Sequence, residues 1–268
     1  MRKTSPGKFV AFTGVCAALY AIGAIITAYI VSPFGRGQFR PAVLIPALFA
    51  IAYGPEIGGL GAAIGTLMAD SLKHGTLYIP SLLAAVPGNF IGFYLLGKIL
   101  ERKFCWSKFA VASQISLFVG NAVVAYLYTW VISSLGFLPP TLTSYELFLL
   151  GTSLMLWFFI TEYPFVLLLG PPLLKILAGP IQELNERLKG PSDRPSWLVS
   201  LSLPGIVFLG ISAIILLTPA SSALLKGLLV KLSPSYAETT LSLIKIMFAG
   251  SGLALTMAGL LLHLGMGK

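Results

Sequence analysis

Long apolar segments recur along the whole chain, and this recurrence limits the possible folds more than any other feature of the sequence. A helix needs roughly 20 predominantly apolar residues to cross a bilayer, where its backbone polar groups must bond to one another. Segments of this kind lie near residues 9–31, 41–53, 57–72, 80–99, 109–134, 147–175, 198–218 and 240–262. The sequence therefore predicts an all-α polytopic membrane protein with about eight spans.

The composition agrees with a membrane protein, and the charges predict its orientation. Of the 268 residues, 56% are hydrophobic and 10% are charged, with a net charge of +9. No basic patch interleaves with exposed aromatic residues, so we expect no nucleic-acid partner. The positive-inside rule places both termini on the cytoplasmic side of the cell membrane, because only six of the eighteen Lys and Arg residues then face outward: Arg36, Arg40, Lys73, Lys226, Lys231 and Lys245.

The second apolar segment is too short for an ordinary span and is followed by a helix break. It begins at Pro41, a favourable first helical residue, and ends at Gly54-Pro55. Small residues spaced by four let helices approach closely in lipid, although a glycine stripe along a substrate path is an alternative interpretation. The glycines around the break form two such pairs, Gly54/Gly58 and Gly61/Gly65.

Charged residues gather at the predicted outer end of the third segment. Lys73 and His74 follow Asp70 by three and four residues, so both can reach its carboxylate on a helix. Arg36 and Arg40 flank the neighbouring short segment on the same side. One interpretation is a solvated helix end with a local ion pair. The other is an outward-facing site for a ligand that carries a carboxylate or phosphate.

Polar residues within the later spans are further candidates for a binding site. An ionisable group inside a span is a functional hypothesis by default, so Glu162 in the sixth segment is a candidate for ligand or proton handling. Asn89 can either bond across helices or bind a substrate amide, whereas for Asn121 we favour helix packing. Trp157 and Tyr163 could stack on a flat ring of a substrate.

Two stretches of the chain carry a resemblance to a known family. RPAVLIPALFAIAYGPEIGGLGAAIGTLMADSL, followed by IPSLLAAVPGNFIGFYLLG, resembles the substrate-binding (S) components of energy-coupling factor (ECF) transporters. The resemblance extends over about residues 9–175. It implies a six-helix bundle that captures a vitamin or other micronutrient from outside, with the loop after the first span as a gate. It also implies a transmembrane coupling subunit and separate ATPase subunits as partners.

The same resemblance assigns a role to the first span and exposes two departures. Ala17 and Ala21 form a small-residue pair that would pack against the coupling subunit. The chain also adds about ninety residues with two more spans, which suggests a bundle over 1–178, an interfacial linker over 179–197 and an extension over 198–268. Residue two is Arg2, whereas metal-transporting relatives use an N-terminal Met-His ligand. This argues against cobalt or nickel as the solute, and we expect no metal site and no cofactor.

The first hypothesis is thus a membrane uptake component for a small organic micronutrient that is vitamin-like and possibly anionic, with no catalytic residues of its own. No credible phosphate-binding loop is present, because Ile99 follows Lys98 where a Ser or Thr would bind magnesium. A stand-alone secondary transporter could instead use Glu162 as a proton relay. An integral membrane enzyme acting on a lipid, or a structural subunit of a membrane complex, is a further alternative.

Overall fold

The computed structural model describes residues 5–32, 36–102, 104–189, 197–229 and 234–265. Within these residues the chain forms ten α-helices: α1 (Pro6–Ile26), α2 (Leu44–Tyr53), α3 (Pro55–His74), α4 (Val86–Glu101), α5 (Trp106–Ser134), α6 (Ser144–Ala178), α7 (Gln182–Leu188), α8 (Leu203–Leu217), α9 (Ala220–Leu229) and α10 (Pro234–Gly265). A 3-10 turn, Pro41–Val43, precedes α2, and π-helical turns, Ser81–Ala85 and Leu198–Ser202, precede α4 and α8.

The predicted fold class, an all-α polytopic membrane protein, is confirmed. Six helical segments of the described residues are long and apolar enough to cross a membrane, and they are Pro6–Ile26, Ser81–Glu101, Trp106–Ser134, Ser144–Ala178, Leu198–Leu217 and Ile244–Leu264. The second predicted span is the shorter apolar helix Pro41–Tyr53. The third, α3, has 20 residues but is more polar, because it carries Glu56, Asp70 and Lys73.

Some predicted boundaries were wrong by several residues. The first span was expected to continue to residue 31, but α1 ends at Ile26 and the chain turns into an isolated antiparallel bridge between Val31 and Gln38. The sixth begins earlier than expected, because Thr143 and Glu146 form a capping box at the start of α6. With 35 residues, α6 is roughly 50 Å long and exceeds the hydrocarbon thickness of about 30 Å.

The predicted break after the short second span is present in the backbone. Gly54 has φ 118°, a region that favours glycine. It is both the C-cap residue of α2 and the N-cap residue of α3. Pro55 is the first residue of α3, where its missing N–H is not needed. The chain therefore reverses in a single residue, and α2 returns directly into α3.

Close helix contacts depend on the glycines around this break. A Cβ added to Gly65 would lie 2.7 Å from the carbonyl oxygen of Ala17, and one added to Gly61 would meet Cys16, so both glycines bring α3 against α1. A Cβ on Gly58 would meet Ala50 of α2. Small residues at these positions permit the contact distances that hold helices together in lipid.

The two C-terminal spans pack against each other and against the bundle. At the crossing of α8 and α10, a Cβ added to Gly252 would lie 2.9 Å from the carbonyl oxygen of Gly205. The ring of Phe208 in α8 lies edge-on to Phe159 of α6, with centroids 6.0 Å apart. We call α8 and α10, with the turn Leu198–Ser202, the C-terminal unit. Residues 190–196 of the predicted linker and Lys231 lie outside the described residues.

The α1–α3 contact leads to a first prediction. Gly65→Ala should lower the free energy of unfolding by about 1–3 kcal/mol, because the added methyl group meets the backbone of α1 rather than a side chain that can move. Gly14→Ala is the matched control, since nothing lies within 4 Å of a Cβ added there. Thermal unfolding in detergent measures both variants. An equal effect of the two substitutions would contradict close α1–α3 packing at Gly65.

Candidate functional site

A polar cavity of about 230 Å³ lies at one end of the bundle. Its walls come from the loop after α1, the last turn of α3, the first turns of the fourth span, and the facing parts of α5 and α6. Seven of the nine predicted ligand-binding residues line this cavity: Arg36, Arg40, Asp70, Lys73, His74, Asn89 and Glu162. Residues that are as far apart in sequence as 36 and 162 therefore share one site.

The centre of the site is a buried ion pair between Arg40 and Asp70. Nη2 of Arg40 donates to Oδ1 of Asp70, and the two side chains are only 11% and 8% exposed. Nη1 of Arg40 donates to the hydroxyl of Thr66 one turn earlier in α3. The hydroxyl of Ser81 donates to the second oxygen of Asp70 at 2.6 Å. The pair thus joins the segment before α2, the end of α3 and the start of the fourth span.

The other basic residues near Asp70 bind elsewhere, which corrects the expectation that Lys73 and His74 contact its carboxylate. Nζ of Lys73 donates to the carbonyl oxygen of Ala28 at 3.2 Å. Nδ1 of His74 lies 2.7 Å from the backbone carbonyl oxygen of Asp70. Arg40 binds the carboxylate instead, because its planar guanidinium can donate to Asp70 and Thr66 at the same time.

Aromatic residues form one side of the cavity beside this pair. The rings of His74 and Tyr78 are stacked, with centroids 3.8 Å apart and planes 2° apart. The hydroxyls of Tyr78 and Tyr128 are 3.2 Å apart and share a hydrogen bond. Burial raises the pKa of the Tyr78 phenol, so this hydroxyl stays protonated at neutral pH. Tyr128 also lines the cavity.

The loop after α1 closes another side of the cavity. The backbone N–H of Ser32 donates to the carbonyl oxygen of Gly37 at 3.1 Å, which joins the two described parts of this loop. Gly37 has φ 76° and lies against the ring of Phe158 in α6. Nη2 of Arg36 donates to the carbonyl oxygen of Phe137 at 3.1 Å, which links this loop to the connection between α5 and α6.

Amides and a carboxyl group line the part of the cavity formed by the spans themselves. Nδ2 of Asn121 donates to Oε2 of Glu162 at 2.8 Å, and Glu162 is 5% exposed. Asn121, for which we favoured helix packing, does bond across helices from α5 to α6, and it also lines the site. Asn89 donates to the carbonyl oxygen of Ala85 at 2.8 Å, and its own carbonyl oxygen is 3.5 Å from the hydroxyl of Tyr20.

The remaining two predicted ligand-binding residues lie outside the cavity wall. Trp157 and Tyr163 are both buried in α6, but neither lines the cavity. The hydroxyl of Tyr163 donates to the carbonyl oxygen of Ser200 in the C-terminal unit and accepts a hydrogen bond from Gln114 at 3.0 Å. The expectation that these rings stack on a substrate is therefore corrected: Tyr163 is turned toward the C-terminal unit.

Sequence reasoning also missed several lining residues. Tyr20 and Ser81 line the cavity but are single polar residues in apolar surroundings, and Gln38 lies between Arg36 and Arg40 with no motif that marks it. Ser81 could have been found from its position, since it begins the fourth span on the same side as Asp70.

The small-residue pair of the first span also requires a correction. Ala17 and Ala21 are only 2% and 3% exposed, because this face of α1 packs within the chain, where Ala17 meets Gly65 of α3. The exposed small residues of α1 lie on another face: Gly7, Ala11, Gly14 and Ala18.

Comparison with known proteins gives similarity to one family over the first part of the chain. The family model described as ECF-type riboflavin transporter, S component, matches residues 6–178. UPF0397 proteins of Streptococcus agalactiae serotypes Ia and V are each 30% identical over 167 residues, which is 57% of this chain and 91% of those proteins. A UPF0397 protein of Lactococcus lactis subsp. cremoris is 32% identical over 124 residues, 46% of this chain and 67% of that protein. No solved structure matches the chain at a significant level.

The buried ion pair generates the second prediction. Asp70→Asn should lower the free energy of unfolding by about 3–5 kcal/mol, because it leaves the guanidinium of Arg40 buried without a counter-charge. Glu101→Gln is the control: it breaks the more exposed pair with Lys98 and should change stability little. Denaturant unfolding in detergent compares them. If Asp70→Asn were no worse than the control, the pair would not carry the stability assigned to it.

Proposed function

We propose that this chain, which belongs to the family of ECF-type riboflavin transporter S components, captures a small polar micronutrient at the outer face of the cell membrane. The resemblance in its sequence had indicated an ECF S component without naming a solute. The family is one of membrane uptake components. Riboflavin is the compound named in the family description, and it is the first candidate to test here. Partner ATPase subunits would supply the energy for inward release.

The observation that carries this proposal is the polar cavity itself, which gathers charged side chains within an apolar helix bundle. Ionisable residues among membrane spans are costly to place there and are usually tied to function. In a solute-capture protein such residues replace the hydration shell that the solute loses on entry. The cavity volume of about 230 Å³ lies just below the range of about 300–1,000 Å³ that is typical for drug-sized ligands, so a small organic solute is the expected occupant.

The charges in the cavity favour a solute with anionic or acceptor-rich groups. The charge of Arg40 is matched by Asp70, whereas Arg36 and Lys73 have no carboxylate partner among the described residues and donate only to backbone carbonyls. Their remaining N–H groups are available to a solute. Glu162 and Asn89 lie in the spans and can bind donor groups at its other end.

A second candidate function follows from the burial of Glu162. A carboxyl group inside a span, with Asn121 as its partner, could exchange a proton during transport by this chain alone. Uptake driven by a proton gradient in vesicles that contain only this chain would favour that mechanism. Uptake that requires ATP and further subunits would favour the first.

The cavity leads to the third prediction. Protein purified from cells grown in rich medium should release one vitamin-like compound in stoichiometric amount when denatured, as measured by mass spectrometry. In the Glu162→Gln variant the amount of retained compound should fall about tenfold, because leaving a buried polar group without its hydrogen-bond partner is unfavourable by about 1–3 kcal/mol. Glu146→Gln, in the same helix but outside the cavity, should retain as much as the wild-type chain. A wild-type protein that releases no compound would contradict the proposed function.

The exposed face of α1 leads to the fourth prediction. We propose that Ala11, Gly14 and Ala18 form the contact with a transmembrane coupling subunit, because small exposed residues allow a partner helix to approach closely. Gly14→Leu should therefore reduce co-purification of that subunit. Gly210→Leu is the matched control, since Gly210 in α8 is also exposed and nothing lies within 4 Å of a Cβ added there. Equal recovery of the subunit with both variants would exclude this face.

A further inference from the structure

We propose that the C-terminal unit is an internal brace that holds α6 in the position required by the cavity, and that Tyr163 is the positioning residue through which it acts. For its ligand readout this proposal rests on the proposed function. The family match ends at residue 178, so the match assigns no role to this part of the chain.

Consecutive residues of α6 face the cavity and the brace. Phe158 and Glu162 line the cavity. Phe159 and Tyr163, each one position later, contact the C-terminal unit at Phe208 and Ser200. One residue rotates the direction of a side chain by about 100°, so a small rotation of α6 would move both sets together. Whatever holds Tyr163 therefore also holds the carboxyl group of Glu162.

The polar part of the contact binds backbone carbonyl groups near a missing donor of the C-terminal unit. Pro204 has no N–H to donate to the carbonyl oxygen of Val199 in the i→i+5 pattern of this π-helical turn, or in the i→i+4 pattern to the carbonyl oxygen of Ser200. The hydroxyl of Tyr163 donates to this oxygen, and Nε2 of Gln114 lies within hydrogen-bond distance of the same oxygen and 2.8 Å from that of Val199. An unpaired carbonyl in lipid is unfavourable by several kcal/mol, so these contacts are maintained.

Aromatic rings continue the contact across both helices of the unit. The rings of Phe159 and Tyr163 are stacked at 5.1 Å, and Phe159 meets Phe208 of α8 at 6.0 Å. Phe208 in turn meets Phe248 of α10 at 6.0 Å. Both Tyr163 and Phe208 are fully buried. The brace is therefore a continuous packed row from α6 to the last helix.

The position of the brace matches a weak point of α6. Pro164 directly follows Tyr163 inside the helix and has no N–H for the carbonyl oxygen of Ile160. A helix is easiest to bend where such a bond is missing. Tyr163 makes its contacts immediately before Pro164, and Glu162 immediately precedes Tyr163. A brace here restricts the bend that would displace Glu162 from Asn121.

The test is Tyr163→Phe, which keeps the buried ring and removes only the hydroxyl. Tyr126→Phe is the matched control: its hydroxyl also joins α5 to α6, through Thr152 at 2.8 Å, but it contacts neither the cavity nor the C-terminal unit. Two quantities are measured on the full chain: amide hydrogen exchange over residues 155–167, and the amount of the compound released by denatured wild-type protein that each variant retains after a fixed wash.

Tyr163→Phe should speed exchange over residues 155–167 and retain about threefold to tenfold less compound than Tyr126→Phe, at a similar midpoint of thermal unfolding. Equal exchange and equal retention in the two variants would overturn the brace. Phe208→Leu is the second variant if Tyr163→Phe does not fold, and it should shift both quantities in the same direction.

The outcomes separate the brace from the proposed function. If Glu162→Gln loses the compound while Tyr163→Phe matches its control in both measurements, the brace is wrong and the proposed function stands. If the wild-type chain releases no compound, the proposed function fails and hydrogen exchange alone decides the brace, with faster exchange in Tyr163→Phe supporting it and unchanged exchange refuting it.

Discussion

The ion pair between Arg40 and Asp70 is the interaction on which the polar end of this bundle depends. A buried charge is tolerated only with a counter-charge and further hydrogen bonds, and here Thr66 and Ser81 complete the set. Because these residues come from three separate elements, satisfying the pair also positions the loop after α1, the end of α3 and the start of the fourth span. Lys73, His74 and Tyr78 are placed around the cavity as a consequence.

The apolar part of the bundle supports this end by close helix contact rather than by a hydrophobic driving force, which lipid does not provide. Gly61 and Gly65 bring α3 against α1, and the break at Gly54 lets α2 return beside them. Asp70 is therefore on a helix whose position is determined by close contacts at Gly65 and Gly61, about one to three turns before it. The C-terminal unit packs against another face of α6, and small residues again allow close contact at the crossing of α8 and α10.

Several particular features of the site followed from the sequence because they depend on local chemistry. The break at Gly54-Pro55 is readable from two residues whose backbone preferences are strong. Glu162 was identified because an ionisable residue in a span is rare whatever surrounds it. The partner of Asp70 was not identifiable in this way. Lys73 and His74 had suitable helical spacing, yet Arg40, 30 residues away, binds the carboxylate, because only tertiary packing brings it there.

The sequence by itself determined the class of molecule, the family and the approximate location of most spans, since all three depend on runs of residues and on motifs. Tertiary structure alone decided which face of each helix points inward. Tyr163 faces the C-terminal unit although Glu162 beside it faces the cavity, and Ala17 is buried although Ala18 is exposed. The physical reason is that lipid and protein interior are both apolar, so a span carries little of the polar–apolar periodicity that marks the buried face of a helix in water.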